Sequence, residues 1–287
     1  MDKEKKNKNK SLDDDVKVLK NANVFASDKF GKEILTHLKS KGVQSGKYIF
    51  LNNKTKEEKL NKCILESFIN FYCFDFNLDS NIDIIKKLSK VITENNKILI
   101  AMALLPETKN KVKLEEFKNK IIELKKIFNT IIVIDLNHLK KTMRNLPKKE
   151  LIEVTYNLII ITIKGLVEIV VTPQFVGIHY TYIDMIFKNG NITSISLSSS
   201  DSDNRVKELV EETFLNILLD CNLTKKTDCI IHISGSNDLS LEEIDNCGQN
   251  ISKLLPETSN VVWGARNEEN LRRKVIIFTI FTGVEFK

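Results

Sequence analysis

Apolar and polar positions in the first half of the chain follow two periods by turns. Lys29–Lys41 sets Phe30, Ile34, Leu35 and Leu38 at helical spacing, whereas Lys47–Leu51 and Phe68–Phe74 (FINFYCF) are short apolar runs bounded by polar residues. The pattern predicts strands at Val16–Leu19 and Asn23–Ala26, the helix Lys29–Lys41, a strand Lys47–Leu51 ending at Asn52-Asn53, a helix Lys56–Leu65 and the strand Phe68–Phe74. A polar turn, Asp75–Asn81, then leads into a helix through Ile82, Ile85, Leu88 and Ile92. A strand Lys97–Leu104, a helix Leu114–Phe128 with Phe117, Ile121, Leu124 and Phe128 on one face, and a strand Ile131–Ile134 complete this half. Strands that alternate with helices predict an α/β fold with a parallel sheet covered on both faces, Rossmann-like in layout. Ligands in such sheets bind beyond the carboxyl ends of the strands. That places a pocket among Ser27–Gly31, Asn52–Lys54, Asp75–Asn81, Pro106–Lys109 and Asp135–His138.

The pattern changes at Leu151–Thr172 (LIEVTYNLIIITIKGLVEIVVT), whose length without a turn predicts one long central helix. It is also the one stretch apolar enough to suggest a membrane span. Glu153, Lys164 and Glu168 oppose that, each costing roughly 2.5–3.5 kcal/mol at mid-bilayer, and a buried element of a soluble protein is expected. After Pro173 the pattern predicts a helix Tyr180–Lys188, a strand Ile192–Ser200, a helix Asp203–Leu219, and then strand, helix, strand and strand to the end. This is a small mixed sheet with helices on it. The expected organisation is a disordered basic tail (1–11), a parallel-sheet domain (12–148), a central helix (149–172) and a smaller α+β C-terminal domain (173–287).

The 287 residues are 42% hydrophobic and 29% charged, ordinary for a globular protein, with a net charge of +6. Five lysines against Asp2 and Glu4 put 5 − 2 = +3 of that charge in residues 1–10, a solvated terminus that a weaker reading would set against anionic membrane or nucleic acid. The five cysteines are odd in number and scattered, with no CxxC pair, which points to a reducing, cytoplasmic compartment and buried thiols. The four histidines lie apart in sequence, and no metal site is expected. The charged start has no apolar run after it, so no signal peptide is expected.

The last sixty residues carry the most specific wording. Gly235–Asn250 (GSNDLSLEEIDNCGQN) is a tight turn followed by a helix whose Ser240 and Glu243 form a capping box. Ser259–Arg266 (SNVVWGAR) and Lys274–Val284 are strands, and Asn129–Leu139 (NTIIVIDLNHL) is a strand and loop further back. In that order these segments resemble the FtsZ family, the prokaryotic relatives of tubulin. The resemblance implies the two-domain tubulin/FtsZ-like fold, with residues 12–148 as its nucleotide-binding domain, and an ancestral cofactor, GTP. It also implies head-to-tail association with self or with a conventional FtsZ, other division proteins as further partners, and a place at the division site.

The same resemblance maps a site. The family cradles phosphate in glycine-rich loops, because glycine lets backbone N–H groups approach an anion at a helix N-terminus. Here no glycine occurs between Gly46 and Gly165. The turn after FINFYCF offers Asn77, Asp79 and Ser80 beside Asp75, and two carboxylates there would repel a triphosphate. The first family loop corresponds to Ser27–Gly31, with Lys29 and Gly31 at the pocket, and Asn52 matches the loop after the second strand. On the guanine side, the family's loop Asn falls on Leu136 or, with a one-residue shift, on Asn137, and its base-pairing Asp falls on Asn157. The family completes catalysis between subunits with acidic residues from the loop after the central helix. Gly177, His179 and Tyr182 fall on those positions, with Asp184 the one carboxylate nearby.

With both halves of a two-subunit site altered, no catalytic residue is expected. The leading reading is an FtsZ-like cytoskeletal, cell-division pseudo-GTPase that needs no cofactor and binds or modulates FtsZ filaments, or self-assembles without hydrolysis. The alternative is a divergent GTP-binding, GTP-hydrolysing filament former that uses Lys29, Asn52, Asn77, Ser80 and Asn137. A third class is a scaffold that binds DNA or membrane through residues 1–10. The acidic-to-apolar tail peptide that the family docks on membrane adaptors does not follow the last strand, so recruitment through it is not expected.

Overall fold

The computed structural model describes residues 21–41, 46–75, 82–143, 146–188 and 191–287. The first half contains β1 (Asn21–Ala26), α1 (Lys29–Lys41), β2 (Gly46–Phe50), α2 (Glu57–Leu65), β3 (Ser67–Phe74), α3 (Ile82–Glu94), β4 (Leu99–Leu105), α4 (Lys111–Leu124), β5 (Thr130–Asp135) and α5 (Leu136–Thr142). The long helix α6 (Lys148–Val171) follows. The second half contains α7 (Tyr180–Lys188), β6 (Asn191–Ser200), α8 (Arg205–Leu215), β7 (Cys221–Asn222), β8 (Asp228–Gly235), α9 (Leu241–Lys253), β9 (Val261–Asn267), β10 (Val275–Thr282) and β11 (Glu285–Phe286). The expected strand Val16–Leu19, the tail 1–11 and residues 76–81 of the polar turn lie outside the described residues.

Nine strands form one sheet in the order β2-β1-β3-β4-β5-β6-β10-β8-β9. The five strands of the first half are all parallel, and every residue of β3 and β5 is buried, as a sheet covered on both faces requires. β10 pairs antiparallel with β6 and β8, and β9 lies parallel to β8, so the second half is the expected mixed sheet. It does not stand apart. Thr130, Ile131 and Ile132 of β5 pair in parallel with Asn191, Ile192 and Thr193 of β6, which makes the smaller sheet a continuation of the larger one.

Two apolar layers sandwich this sheet. Residues of α2, α3, α4, α8 and α9 pack on one face, and residues of α1, α5, α6 and α7 on the other. Helix α6, about 36 Å long at 1.5 Å per residue, is apolar and long enough to cross a membrane. In the fold it buries Ile159, Ile163, Leu166 and Ile169 in the second layer.

Two elements depart from the sequence expectation. The helix expected over Asp203–Leu219 spans only Arg205–Leu215. Beyond it Ile217 bridges Ser196, the Leu218 N–H donates to the Ile195 carbonyl (2.9 Å), and the Leu218 carbonyl accepts from the Asp135 N–H (3.1 Å). These tertiary backbone bonds beside β6 outweigh one more helical turn. Conversely, the loop expected at Asp135–His138 is the start of a helix. Asp135 Oδ1 accepts from the N–H groups of Asn137 (2.8 Å) and His138 (3.2 Å), capping α5.

The capping box forms as read. Ser240 Oγ accepts from the Glu243 N–H (3.2 Å), and Glu243 Oε2 accepts from the Ser240 N–H (2.9 Å). Ser240→Ala is therefore expected to cost about 1 kcal/mol, seen as a lower urea midpoint with an unchanged slope. An unmoved midpoint would mean that the box contributes nothing.

Candidate functional site

The parallel strands end together where sheets of this kind hold ligands. Between α1, the end of β3 and the first turns of α6 lies a cleft of about 290 Å³, lined by Lys29, Phe30, Glu33, Asp75, Leu136, Tyr156 and their neighbours. Its floor is set by two close approaches. A Cβ on Gly31 would stand 2.5 Å from the Ala26 Cβ and 2.5 Å from the Cys73 carbonyl oxygen. Glycine is needed at this position because α1 rests directly on β1 and β3.

Next to the lining residues Lys29 and Asp75 stands Asp28, which immediately precedes α1. Its Oδ1 accepts from the Gly31 N–H (2.6 Å), and its Oδ2 accepts from the Asp75 N–H (3.3 Å). One carboxylate thus holds the N-terminus of α1 and the first amide beyond β3, two groups that would face an anion. Burial pushes the Asp28 carboxyl up to about 6, and the Asp75 charge adds to the rise against the amide bonds that lower it. Beside it, Ser27 Oγ and the Tyr72 hydroxyl share a short hydrogen bond, and burial raises the Tyr72 phenol above its ordinary range.

The apolar end is aromatic. Tyr156 of α6 lies 5.7 Å from the Phe30 ring and 5.3 Å from that of His37, between centroids, and its hydroxyl donates to Glu33 Oε2. Burial and then the Glu33 carboxylate raise its ionisation range.

The sequence-derived site residues divide between this cleft and other places. Lys29 lines the cleft, and Gly31 stands beneath its polar end. Asn157, one residue beyond Tyr156, accepts from Lys41 Nζ at the far end of α1 and is not among the lining residues. The helical face that meets the cleft carries Ile152, Thr155 and Tyr156. Of the two positions offered for the loop Asn, Leu136 lines the cleft and Asn137 bonds within the protein. Its Oδ1 accepts from the Thr108 N–H (3.0 Å) and its Nδ2 donates to the Pro106 carbonyl (3.4 Å), fixing the loop between β4 and α4. Asn52 closes its own turn, with Oδ1 accepting from the Lys54 N–H (3.0 Å) and its N–H donating to Thr55 Oγ1 (3.0 Å). Asn77, Asp79 and Ser80 lie outside the described residues.

Gly177, His179, Tyr182 and Asp184 stand at the opposite end of the sheet. The Tyr180 hydroxyl donates to the carbonyl of Phe68 at the start of β3 (3.1 Å), while the cleft lies beyond its end. Seven residues of strand separate the two, on the order of 20 Å at 3.3 Å per residue. His179 Nδ1 accepts from the Thr181 N–H (3.3 Å) at the start of α7, and Asp184 pairs with Lys188 one turn on (2.8 Å). No single copy of the chain can bring this group to the cleft.

Glu33 and Tyr156 of the cleft lining, and Asp28 next to it in sequence, are residues that sequence reasoning did not single out. The signal for Asp28 was present, since an acid directly before a helical pattern is a strong N-cap. Tyr156 required the rotation of α6, which its near-uniform apolarity conceals.

Comparison with known proteins agrees with this architecture. A model of the FtsZ family, C-terminal domain, matches residues 192–285. The chain is 28% identical over 201 residues to Cell division protein FtsZ 2 of Methanocaldococcus jannaschii, covering 69% of this chain and 53% of that protein. It is 28% identical over 198 residues to Cell division protein FtsZ 2 of Halobacterium salinarum, covering 69% and 50%. Over about two thirds of its length the chain is thus similar to FtsZ proteins, and its residues 192–285 match that family's C-terminal domain. It spans about half the length of the curated relatives it matches. Among solved structures, an empty FtsZ dimer of M. jannaschii superimposes with a TM-score of 0.79 at 22% identity, covering 92% of this chain and 88% of that one. A GDP-bound monomer of CetZ1 from Haloferax volcanii gives 0.67 at 12% identity, covering 92% and 94%. These likenesses show the tubulin/FtsZ fold.

Proposed function

We propose that this chain is an FtsZ-like cytoskeletal protein of cell division that neither holds nor hydrolyses GTP, and that it binds or modulates filaments of a conventional FtsZ or assembles with itself. One observation carries this reading. The amides of Gly31 and Asp75, which would serve a phosphate, already bind the Asp28 carboxylate. A phosphate entering beside Asp28 and Asp75 would meet like charge, about 1 kcal/mol per pair at 4 Å in water and about 4 kcal/mol in the partly desolvated surroundings of a cleft. The sequence supports the same reading, having no glycine between Gly46 and Gly165 to let further amides approach.

Association is the part of the family's behaviour that this chain retains under the proposal. The cleft and the α7 end lie at opposite ends of the parallel strands, so repeated end-to-end stacking is a heterologous contact that builds filaments. Exposed Phe175, Tyr182 and Met185 lie at and before α7 and supply apolar area for such an end. The cytoplasm, and within it the division site, is where such a protein would act.

Sedimentation with the conventional FtsZ of the same cell, with and without GTP, tests the proposal. The expected result is that this chain co-pellets with the partner or changes its GTP turnover, while releasing no phosphate itself. Failure on both counts would remove the modulator reading. Guanine nucleotide retained through purification, or phosphate release that rises with self-assembly, would instead establish the divergent GTPase. That alternative draws on the retained cleft and the position of Lys29 at its edge.

A further inference from the structure

One face of the sheet is electrically divided. The helices that cover it in the first half, with their flanking turns (residues 54–66, 82–97 and 109–126), carry fifteen lysines against eight carboxylates. The helices α8 and α9 that cover the same face in the second half, with their flanking turns (201–212 and 238–257), carry three basic residues against ten carboxylates. The difference is +7 on one side of the face and −7 on the other. All five helices pack on the same apolar layer, so both charges point away from the same side of the sheet.

The acidic side also has a recess. Between α8 and α9 runs a groove of about 650 Å³ lined by Val206, Val210 and Leu254, by Asp203, Glu211 and Glu243, and by Lys207 and Lys253. Asp203 pairs with Arg273 (2.5 Å) and Glu211 with Lys207 (4.0 Å). Leu254 is 58% exposed. The basic side has raised apolar residues instead, with Val112 69% and Ile122 49% exposed on the outer surface of α4.

We infer that two copies of this chain pair face to face through this helical layer, the lysine-rich α3–α4 surface of each seated on the acidic α8–α9 groove of the other. A surface that carries both complementary patches satisfies both at once under a two-fold axis, which is what an isologous contact requires. The contact is distinct from end-to-end stacking, since it uses the side of the sheet and not its ends. Two filaments, or one filament and a capping copy, could therefore be bridged sideways. Charge attraction steers the encounter and fixes the orientation, and the apolar residues at the centre hold it.

The full chain is measured by sedimentation velocity over a range of protein concentration in low salt (~50 mM) and high salt (~500 mM), where screening shortens from about 14 Å to about 4 Å. The expected species is a dimer that does not grow further and that weakens at least tenfold at high salt. Glu211→Lys with Asp245→Lys should weaken pairing tenfold or more, as should Lys86→Glu with Lys111→Glu, and mixing the two variants should restore a heterodimer. All four positions are exposed, so folding is not at stake, and circular dichroism checks it. A monomer at every concentration overturns the inference. So does an open-ended series of oligomers indifferent to these substitutions, which would assign association to the ends. Loss of pairing when Lys3, Lys5, Lys6, Lys8 and Lys10 are all changed to Gln, with the α3 and α4 variants silent, would overturn it by giving the groove to the basic N-terminal segment.

Discussion

Arg205→Ala is expected to cost about 3 kcal/mol of folding stability, the lower end of the range for breaking a buried ion pair by removing one partner. Arg205 is 8% exposed at the first position of α8 and is held by its whole guanidinium. Nε and Nη2 donate to the two Glu243 carboxylate oxygens (2.6 and 2.9 Å), and Nη1 donates to Asp238 Oδ2 and to the Arg273 carbonyl (both 2.7 Å). Nη2 also reaches the Asp238 carbonyl (3.1 Å). The side chain therefore ties α8 to the turn before α9, to the capping residue of α9 and to the residues entering β10. Lysine has no fork with which to reproduce this, so Arg205→Lys should recover little. The acid limb gives a second readout. The Arg205 hydrogen bond holds Glu243 below its ordinary range. A carboxylate with a depressed folded-state pKa contributes stability above its unfolded value, and that stability is lost as pH falls through the folded one. The unaltered chain should therefore lose stability below about pH 4.5, and Arg205→Ala should have a flatter acid limb. Urea midpoints across pH 3–7 measure both. A loss under ~1 kcal/mol with an unchanged acid limb would show that the network is exposed to solvent in practice.

Much of this fold was legible because its signals are local. The sequence Ser240-Leu241-Glu242-Glu243 contains its own capping box, and the exchange of periods between Lys29–Lys41 and Phe68–Phe74 needs no tertiary information. The two misread elements share one cause. Residues 217–219 have helical composition, yet their backbone groups bond to Ile195 and Asp135, partners far away in sequence. Asp135 carried the opposite signal, a capping acid, but followed a strand so closely that the loop reading prevailed. The join between β5 and β6 was likewise illegible, because three ladder pairs across some sixty residues leave no periodic trace.

The site was less legible than the fold. Leu136 or Asn137, and Asn157, were assigned by alignment to a nucleotide, and in the structure both asparagines bond to a neighbour within the protein. Amides suit such local bonding whatever the surroundings, so their presence says little about a ligand. Gly31 was read for phosphate approach, and its Cβ position is also closed by Ala26 and Cys73, so packing by itself requires glycine there. Asp28 was the informative residue, since it bonds to both segments that would meet an anion.

Asp28→Asn should therefore stabilise the protein at neutral pH by about 1–2 kcal/mol and improve its affinity for inorganic phosphate or GTP at least tenfold. The sign follows from the direction of the shift. The folded-state value is raised from 3.8 to about 6, so between these limits the native chain holds a proton that the unfolded chain has released. Stability then falls as pH rises through this window. A pKa rise of that size corresponds to roughly 3 kcal/mol, reduced to about half here because Asp28 is only half-buried and solvent screens it. Asparagine keeps one oxygen to accept from the Gly31 N–H and removes the charge that faces Asp75. Its advantage should accordingly be present at pH 7 and absent near pH 4. Thermal unfolding across that range measures the first effect, and titration calorimetry with phosphate and with GTP measures the second. A variant less stable at pH 7, with the pH profile unaltered and no gain in anion affinity, would mean that the ionised carboxylate is a favourable cap on the α1 dipole. The amide pair beside it would then never have been an anion site, and the proposed reason for the loss of nucleotide binding would fall with it.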